Sequence, residues 1–451
     1  MPVDVDMPAL DLVIRATRAV TAAGETSCCV GVRDGRIVAI EPLQSDLVAD
    51  QVVDLSDDTV LIPGLVDTHV HVDEPGRTEW EGFATATLAA AAGGVTTIVD
   101  MPLNSLPPTL DVQALEVKRQ AAAGRCFVDV GFWAGAVPGN RGSLRDLHEA
   151  GVFGFKCFLV PSGVGEFPPL DPDEFEGCLA AIAELDALTL VHAEDAAVID
   201  RAPTARGRSY MSFLRSRPRE AENAAVARVV EAAGRTGARV HVVHLSSAEA
   251  VPGIRAAWEN GVRVSAETCP HYLIFAAEEI PDGGTQFKCC PPIREADNRE
   301  ALWTALADGV IAAVVSDHCP CPAELKALDT GDFEVAWGGI SSLQVGLPAV
   351  WSEARRRGLA LADVVQWMAA NPAQLAGLRR KGRIAVGNDA DLVAFAPNEP
   401  LVVDPSALRH RHPITPYAGR TMTGVVTATW LRGARVTDEV PRGRLITRGA
   451  A

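Results

Sequence analysis

Eight short apolar runs alternate with alanine-rich segments along most of this 451-residue chain, and this alternation limits the fold more than any other feature. Most of the intervening segments, such as residues 83–94 and 219–237, have helical spacing of their apolar positions. The apolar runs cover residues 59–72, 94–102, 126–135, 152–160, 187–195, 239–247, 262–270 and 311–318. Strands that read as continuous apolar runs are typical of parallel sheets covered on both faces. Eight such units predict an α/β fold, namely a (β/α)₈ TIM barrel.

An open, doubly wound parallel sheet is the alternative, because it uses the same alternation of strands and helices. The sequence has neither a GxGxxG loop nor a Walker A loop, and this favours the barrel. The two ends of the chain, residues 1–62 and 380–451, instead contain short strands and turns. Neither end is long enough to fold well alone. We therefore expect them to pair as one small β-sandwich domain beside a catalytic barrel of residues 63–379.

Polar side chains stand at the ends of five of the predicted strands. They are His69, His71, Lys156, His192, His244 and Asp317. The carboxyl ends of barrel strands meet at one face, which is the active face of barrel enzymes. His69 and His71 are two residues apart on a strand and point to the same side, so both imidazoles can bind one metal ion. A single histidine of this kind is usually structural, but six such groups on one face predict a metal site.

Lys156 is an unusual metal ligand, because its ammonium group repels a cation. Burial lowers the pKa of a lysine and favours the neutral amine, which can take up CO₂ and become a carbamate, N6-carboxylysine. A carbamate is anionic and has two oxygens, so it can bridge two metal ions. With four imidazoles and Asp317 it predicts a site for two divalent ions. Zn²⁺ suits the imidazole-rich set best, and Mn²⁺, Co²⁺ or Fe²⁺ accept the same ligand types.

Charge and cysteine content restrict the partners and the compartment. The chain has 58 acidic and 41 basic residues, a formal net charge of −17, which disfavours nucleic acid and anionic membranes as partners. It has no apolar run of about 18 residues, and its acidic N-terminus does not resemble a signal peptide. The ten cysteines are dispersed without a CxxC pair, as expected for reduced thiols. We expect a cytoplasmic protein that acts on a small molecule.

Longer motifs around these residues extend nearly from end to end. The most specific are GLVDTHVHVDEPGRTEWEG (64–82) and AAAAGGVTTIVDMPLNSLPPT (89–109), followed by GFKCFLVPSG, VHAED, VHLSS, ETCPHYL, KCCPPIR, SDHCPCP and WGGISSLQ. They resemble the amidohydrolase superfamily, and within it the cyclic-amidase branch of dihydroorotases, hydantoinases and allantoinases. The combination of the first two motifs is most similar to the allantoinases. The resemblance also implies a homotetramer.

The same resemblance implies a role for each residue of the predicted metal site. The His-Val-His pair binds the more buried metal, His192 and His244 bind the other, and carboxylated Lys156 bridges the two. Asp317 binds metal and is the catalytic residue that carries the proton. The implied reaction is hydrolysis of a ring amide of a cyclic ureide by a hydroxide held between the metals. With allantoin as substrate the product is allantoate, and the reaction belongs to purine catabolism.

Substrate choice within the branch depends on fewer residues. Dihydroorotases typically carry Arg two residues after the second histidine, whereas this chain has Asp73, which would repel a substrate carboxylate unless Arg77 or another cation compensates. Asn104 resembles the family's substrate-side asparagine. Cys290 stands where relatives commonly have Ser in a segment whose backbone holds the ring, and Ser341 stands where hydantoinases have Asn. A dihydropyrimidinase, hydantoinase or dihydroorotase acting on another cyclic amide is the alternative.

Two further classes of protein have to be weighed. A non-catalytic relative would keep the barrel as a scaffold and lose metal ligands, but all six are present. A metal-independent enzyme would use Cys319 or Cys157 as nucleophile, yet the adjacent His318 would point away from Cys319 on an extended segment. The loops at 157–175 and 318–338 contain Pro and Gly and are long enough to act as lids, with Trp80 and Trp337 beside the active face.

Overall fold

The computed structural model describes residues 9–449, which form seventeen strands and thirteen α-helices. The strands are β1 (Leu10–Thr21), β2 (Gly24–Arg33), β3 (Arg36–Glu41), β4 (Ala49–Asp54), β5 (Val60–Pro63), β6 (Leu65–Val70), β7 (Val95–Asp100), β8 (Asp129–Phe132), β9 (Ala134–Gly135), β10 (Gly154–Phe158), β11 (Leu188–His192), β12 (Arg239–Val242), β13 (Val264–Thr268), β14 (Ala313–Val314), β15 (Leu392–Val402), β16 (Thr421–Leu431) and β17 (Ala434–Arg435). The helices are α1 (Phe83–Ala92), α2 (Val112–Ala122), α3 (Leu144–Glu149), α4 (Pro172–Ala183), α5 (Ala196–Arg201), α6 (Tyr210–Ser216), α7 (Arg219–Thr236), α8 (Val251–Glu259), α9 (Pro270–Ile274), α10 (Ala296–Ala307), α11 (Gly346–Arg356), α12 (Leu361–Val365) and α13 (Asn371–Ala376).

A ring of parallel strands from β6 to β14 forms the middle of the molecule. β6 pairs with β7 and β7 with β8, while β9 to β14 pair in chain order. Only Trp133 separates β8 from β9, so these two form one interrupted strand and the ring has eight strand positions. The ring closes where the His71 N–H donates to the His318 carbonyl at 2.8 Å, next to a parallel bridge between Val70 and His318. The predicted (β/α)₈ barrel is confirmed.

The barrel strands are mostly apolar because both of their faces are covered. Every residue of β6, β7, β10 and β11 is buried. The surrounding helices begin and end at residues that commonly cap helices. The Asp171 carboxylate caps α4 by accepting the Glu174 N–H, and Gly237 ends α7 with φ of 69°. None of the helices within residues 9–449 combines the length and apolar character needed to cross a membrane.

Strands from both ends of the chain form the second sheet, as predicted. Its order is β17-β16-β15-β5-β1-β2-β3, with β4 beside β1, so hydrogen bonds join all eight strands into one sheet. Side chains from the two ends share one apolar core, in which Leu12 and Val30 pack with Leu392 and Trp430. The pairing of the two ends is therefore confirmed. The domain boundaries, 1–62 with 380–451 and 63–379 between them, stay a prediction, and residues 1–8 and 450–451 lie outside the described part.

The last described residues leave the terminal sheet and run along the barrel. The Val130 N–H in β8 donates to the Arg444 carbonyl, and the Ile446 N–H donates to the Val130 carbonyl, each at 2.9 Å. The Gly443 N–H donates to the Cys126 carbonyl at 2.8 Å. The C-terminal segment 443–448 is therefore attached to the catalytic barrel, a path that sequence patterning did not indicate.

A buried charge cluster also joins the terminal sheet to the barrel. Lys381 Nζ lies 2.7 Å from carboxylate oxygens of Asp129 in β8 and of Asp391 just before β15, and its side chain is 1% exposed. Asp389 lies 3.1 Å from the same ammonium. Removing one partner of a buried ion pair leaves an uncompensated charge, which typically costs about 3–5 kcal/mol.

We expect Lys381→Met to lower the free energy of unfolding by about 3–5 kcal/mol, because it leaves the buried Asp391 carboxylate without a cation, whereas Asp129 keeps Arg432. Urea unfolding followed by circular dichroism measures the change. The control is Arg235→Met, which breaks the exposed Arg235–Glu176 pair and should leave the unfolding midpoint unchanged. A Lys381→Met protein as stable as that control would contradict a structural role for the cluster.

Candidate active site

The six predicted metal ligands all lie at the carboxyl ends of barrel strands. Each is in, or within three residues of, the strands β6, β10, β11, β12 and β14. His244 and Asp317 follow their strands with φ of 40° and 44°, and Asn104 beyond β7 has φ of 72°. Non-glycine residues rarely adopt this left-handed region, and such strain collects at functional sites. The folded barrel therefore keeps these side chains in place against a local conformational cost.

One half of the site consists of two histidines and a carboxylate. Asp317 Oδ1 lies 3.1 Å from His69 Nε2 and 3.4 Å from His71 Nε2. One ligand atom from each of these three buried residues falls within 4.8 Å of the other two, a spacing that could hold a metal ion. The fixed separation of His69 and His71 on one strand face produces this convergence.

The other half of the site consists of His192, His244 and Lys156. His192 Nδ1 lies 3.0 Å from His244 Nε2, so the two imidazoles direct ring nitrogens at the same point. The rings of His69 and His244 are 5.3 Å apart between centroids, which brings the two halves into contact. Lys156 is 1% exposed and lines the same cavity as the four histidines. Imidazoles are donors that suit divalent metal ions.

Burial keeps most of these nitrogens uncharged. It lowers the pKa of His71 to about 4 and lowers the pKa values of His192 and His244. It also lowers the pKa of Lys156 to about 8, although the carboxylate of Asp317 opposes the shift. Neutral imidazoles have lone pairs free to bind a metal ion, and a pKa of about 8 gives Lys156 a larger neutral fraction, able to react with CO₂, than an exposed lysine has. The electrostatics therefore agree with the metal interpretation.

His69 and Asp317 form the charged exception. Burial alone would lower the pKa of His69, but the carboxylates of Asp317 and Glu267 raise it to about 9. Burial alone would raise the pKa of Asp317, but His69 and His71 hold it well below its usual range. A proton on His69 thus takes the place that a cation would occupy next to the Asp317 carboxylate.

A cavity of about 290 Å³ opens above the cluster. The metal-site residues form part of its lining together with Asn104, Cys290, Arg217, Lys288 and the segment 335–339. A cavity of this volume fits a small heterocycle rather than a peptide or a polymer.

Comparisons with known proteins agree with the geometry. Residues 60–436 match the model of the amidohydrolase family. The chain belongs to the amidohydrolase family. It is 56% identical over 447 residues to a Streptomyces avermitilis protein named allantoinase, covering 98% of this chain and 100% of that one. It is 49% identical over 379 residues to the allantoinase of Saccharomyces cerevisiae, covering 83% and 82% of the two chains.

Solved structures place the fold in the same branch of the amidohydrolase family. The L-hydantoinase (dihydropyrimidinase) of Arthrobacter aurescens superposes with a TM-score of 0.93 and 32% identity, covering 97% of this chain and 100% of that chain. A D-hydantoinase from a Bacillus species superposes with a TM-score of 0.88 and 30% identity, covering 98% and 100%. The predicted family is confirmed.

Carboxylates that orient the amidohydrolase histidines were missed by sequence reasoning. Glu267 Oε1 lies 2.6 Å from His69 Nδ1, and Glu194 Oε2 lies 2.7 Å from His192 Nε2. Asp67 accepts the backbone N–H groups of His69 and Ser316, each at 3.0 Å. A ligand histidine commonly bonds a carboxylate through its other nitrogen, which sets the tautomer and the ring orientation. The sequence signal that could have indicated these carboxylates is the presence of charged residues, Asp67, Glu194 and Glu267, inside apolar runs.

The predicted substrate residues divide into two that line the cavity and one that does not. The Asn104 side-chain amide lies 3.4 Å from His71 Nδ1, and Cys290 forms part of the wall. Ser341 is 5% exposed and is not part of the lining, and its carbonyl accepts the Thr415 hydroxyl at 2.7 Å. The structure thus brings Asn104 and Cys290 to the site, while Ser341 lies behind its wall.

The structure changes the expectation for Asp73. Its carboxylate is completely buried and is not part of the cavity lining. Within residues 9–449 neither of its oxygens has a hydrogen-bond partner. Burial, together with the carboxylates of Glu81 and Asp100, raises its pKa well above the usual range. A carboxyl group that lies behind the wall and whose pKa is shifted toward the neutral acid repels a substrate anion less than the sequence argument assumed.

The cationic side chains that line the cavity are not the one considered from the sequence, Arg77. Arg77 pairs with Glu166 at 2.6 Å, and Arg217, which lines the cavity, pairs with Glu194. Lys288 also lines the cavity, and sequence reasoning missed both lining cations. The predicted aromatic pair is in contact, since the rings of Trp80 and Trp337 meet edge to face at 5.0 Å between centroids. Trp337 itself lines the cavity.

Proposed function

We propose that this amidohydrolase is an allantoinase, which opens the ring of allantoin by hydrolysis and releases allantoate as a step of purine catabolism. The observation that carries the proposal is the 56% identity, over the full length of both chains, with a protein named allantoinase. The cavity supports it, because a neutral heterocycle of this size fits beside the imidazole cluster.

We propose that two divalent metal ions, Zn²⁺ by preference and Mn²⁺, Co²⁺ or Fe²⁺ otherwise, are held by the four imidazoles, Asp317 and Lys156. The buried nitrogen His244 Nδ1, which has no hydrogen-bond partner within residues 9–449, and the approach of the His192 and His244 rings support this choice. Such ions, when bound, act as Lewis acids and lower the pKa of water toward neutrality. Lys156 would bind as N6-carboxylysine, formed when its neutral amine adds to CO₂ and releases one proton to solvent.

The protein side chains then supply proton transfer and orientation. Asp317 accepts the proton of the attacking water and donates it to the ring nitrogen as the carbon–nitrogen bond breaks, which makes it the catalytic residue. Glu267 and Glu194 keep the imidazoles of His69 and His192 in their working orientation. Asn104 and the backbone around Cys290 hold the substrate ring, and Ser341 supports that wall through its backbone.

Hydrolysis of another cyclic amide is the second candidate. The superposition with an L-hydantoinase (dihydropyrimidinase) favours it, because a protein with the same fold is named for a different cyclic amide. A dihydroorotase is less well supported, since the carboxylates of Glu166 and Glu194 already neutralise Arg77 and Arg217, and the Lys288 ammonium already donates to two backbone carbonyls. A substrate carboxylate would have to compete with these partners for a cation, and an anion left unpaired in a buried site costs several kcal/mol.

The test is a comparison of kcat/KM for allantoin, a 5-substituted hydantoin and dihydroorotate on one metal-loaded preparation. We expect allantoin to be the best substrate and dihydroorotate to be poorer by about 100-fold or more, because of the unpaired anion. If dihydroorotate is the best substrate, the allantoinase assignment is wrong and a cation in the wall binds its carboxylate. If the hydantoin is best, the barrel and metal interpretation stands but the substrate is the second candidate.

We further propose a homotetramer in the cytoplasm, acting on a small molecule without nucleic acid or membrane as partner. All ten cysteines are free thiols in the structure, and nine of them are buried, which suits a reducing compartment. The tetramer rests on the resemblance to the cyclic-amidase branch, and sedimentation equilibrium of the purified protein tests it.

A further inference from the structure

Lys288 is a cation in the cavity wall that the proposed chemistry does not use. Its side chain lines the cavity and the residue is 8% exposed. Nζ donates to the backbone carbonyls of Glu334 at 3.2 Å and Ala336 at 2.6 Å, and lies 5.3 Å from the centroid of the Phe213 ring. Within residues 9–449 it forms no ion pair with a carboxylate. Its charge is therefore satisfied by uncharged partners only.

The wall around Lys288 retains hydrogen-bonding capacity. An ammonium group has three N–H donors, and the two carbonyls account for two of them. Each of those carbonyl oxygens has two lone pairs, of which Lys288 uses one. The cavity lining therefore offers a charged donor from Lys288 beside a carbonyl acceptor from Ala336, while the Glu334 carbonyl helps to hold the ammonium and is not part of the lining.

This pattern is the complement of one edge of a urea group, where a carbonyl oxygen acceptor stands beside an N–H donor. We propose that Lys288 is a specificity residue that donates a hydrogen bond to the carbonyl oxygen of a 5-ureido substituent, while the carbonyl of Ala336 accepts an N–H group of that substituent. The inference rests on the proposed function and deepens it, because it explains how a ureido-substituted ring is preferred over a plain hydantoin.

A second lysine in the same region separates substrate contact from loop stabilisation. Lys326 is 3% exposed, and its ammonium donates to the backbone carbonyls of Lys288 at 3.2 Å, Trp337 at 2.9 Å and Gly339. It stabilises the same loop through the same kind of bond, but it is not part of the cavity lining. Lys326→Met is therefore a matched control for Lys288→Met.

The experiment measures kcat and KM for allantoin and for unsubstituted hydantoin with the wild type, Lys288→Met, Lys288→Arg and Lys326→Met, with thermal melting and metal content for each. We expect Lys288→Met to lower kcat/KM for allantoin by about 10- to 100-fold, as for loss of a charged hydrogen bond, and that for hydantoin by less than about threefold. Lys288→Arg keeps a donor and should recover part of the allantoin loss. Lys326→Met should change the two substrates by the same factor.

The outcomes separate this inference from the proposed function. Suppose that the wild type prefers allantoin and that Lys288→Met, like Lys326→Met, lowers kcat/KM for both substrates by the same factor. Lys288 then only stabilises the loop, and the inference is overturned while the proposed function stands. If Lys288→Met melts at a clearly lower temperature than the wild type, Lys288→Arg is the variant to compare instead. The quantity compared is again the ratio of kcat/KM for allantoin to kcat/KM for hydantoin. If wild type shows no preference for allantoin over hydantoin, the inference fails together with the allantoinase assignment.

Discussion

Lys156→Ala is expected to lose bound metal and turnover together. The lysine is buried among the imidazoles, and its pKa of about 8 leaves a neutral amine available for reaction with CO₂. Without its side chain, two cations would face each other with only neutral imidazoles and one carboxylate to hold them. Elemental analysis should fall from close to two ions per subunit to well below one, and allantoin hydrolysis should fall to background.

A short carboxylic acid offers a specific test of the carbamate. At high concentration, acetate or propionate can occupy the space left in Lys156→Ala and restore part of the metal content and the rate. The matched control is Lys326→Ala, which removes an equally buried lysine outside the imidazole cluster and should keep both metal ions. A Lys156→Ala enzyme with near-normal rates would make Lys156 structural.

Asp317→Asn is expected to lower kcat by about 10²–10⁴-fold, the usual contribution of general acid–base catalysis, and to change KM little. The amide can still contact a metal ion weakly, but it cannot accept and return a proton. Steady-state kinetics with allantoin, alongside metal analysis, measures the effect. Asp73→Asn changes a buried carboxyl outside the cavity and serves as control, with a loss of less than about tenfold expected.

A drop of tenfold or less in Asp317→Asn would identify a different proton carrier. His244 and His271 are the next candidates. His271 is completely buried within the described part of the chain, and neither of its ring nitrogens has a hydrogen-bond partner there. The double variant Asp317→Asn with His271→Asn tests whether His271 and Asp317 act in one proton relay. If they do, kcat of the double variant is no lower than that of the poorer single variant.

The barrel and the convergence of the six candidate ligands could be predicted because both depend on local pattern. Apolar runs define the strands, and a polar residue that interrupts such a run has few places to point except the active face. His69 and His71 even have their relative orientation defined by strand geometry. The family motifs carried the prediction further than pattern alone, since they assigned a role to Asp317.

Contacts between distant segments could not be predicted in this way. The Glu267–His69 hydrogen bond joins two distant barrel strands, and no sequence pattern near either residue predicts it. Asp73 looked like a cavity residue because it follows the second histidine by two positions, but the chain turns its carboxyl into the interior. The role of Lys288 emerges only from the loop carbonyls that surround it.

The seam of the barrel has a consequence for how the enzyme is made. Asp67 and Ser316 are 249 residues apart, and their hydrogen bond joins the first barrel strand to the segment that carries Asp317. A chain emerging from the ribosome therefore contains His69 and His71 long before it contains the carboxylate that completes their ligand set. The candidate ligands therefore come together only when the two ends of the barrel meet, so the complete set proposed to bind metal forms only after the barrel has closed.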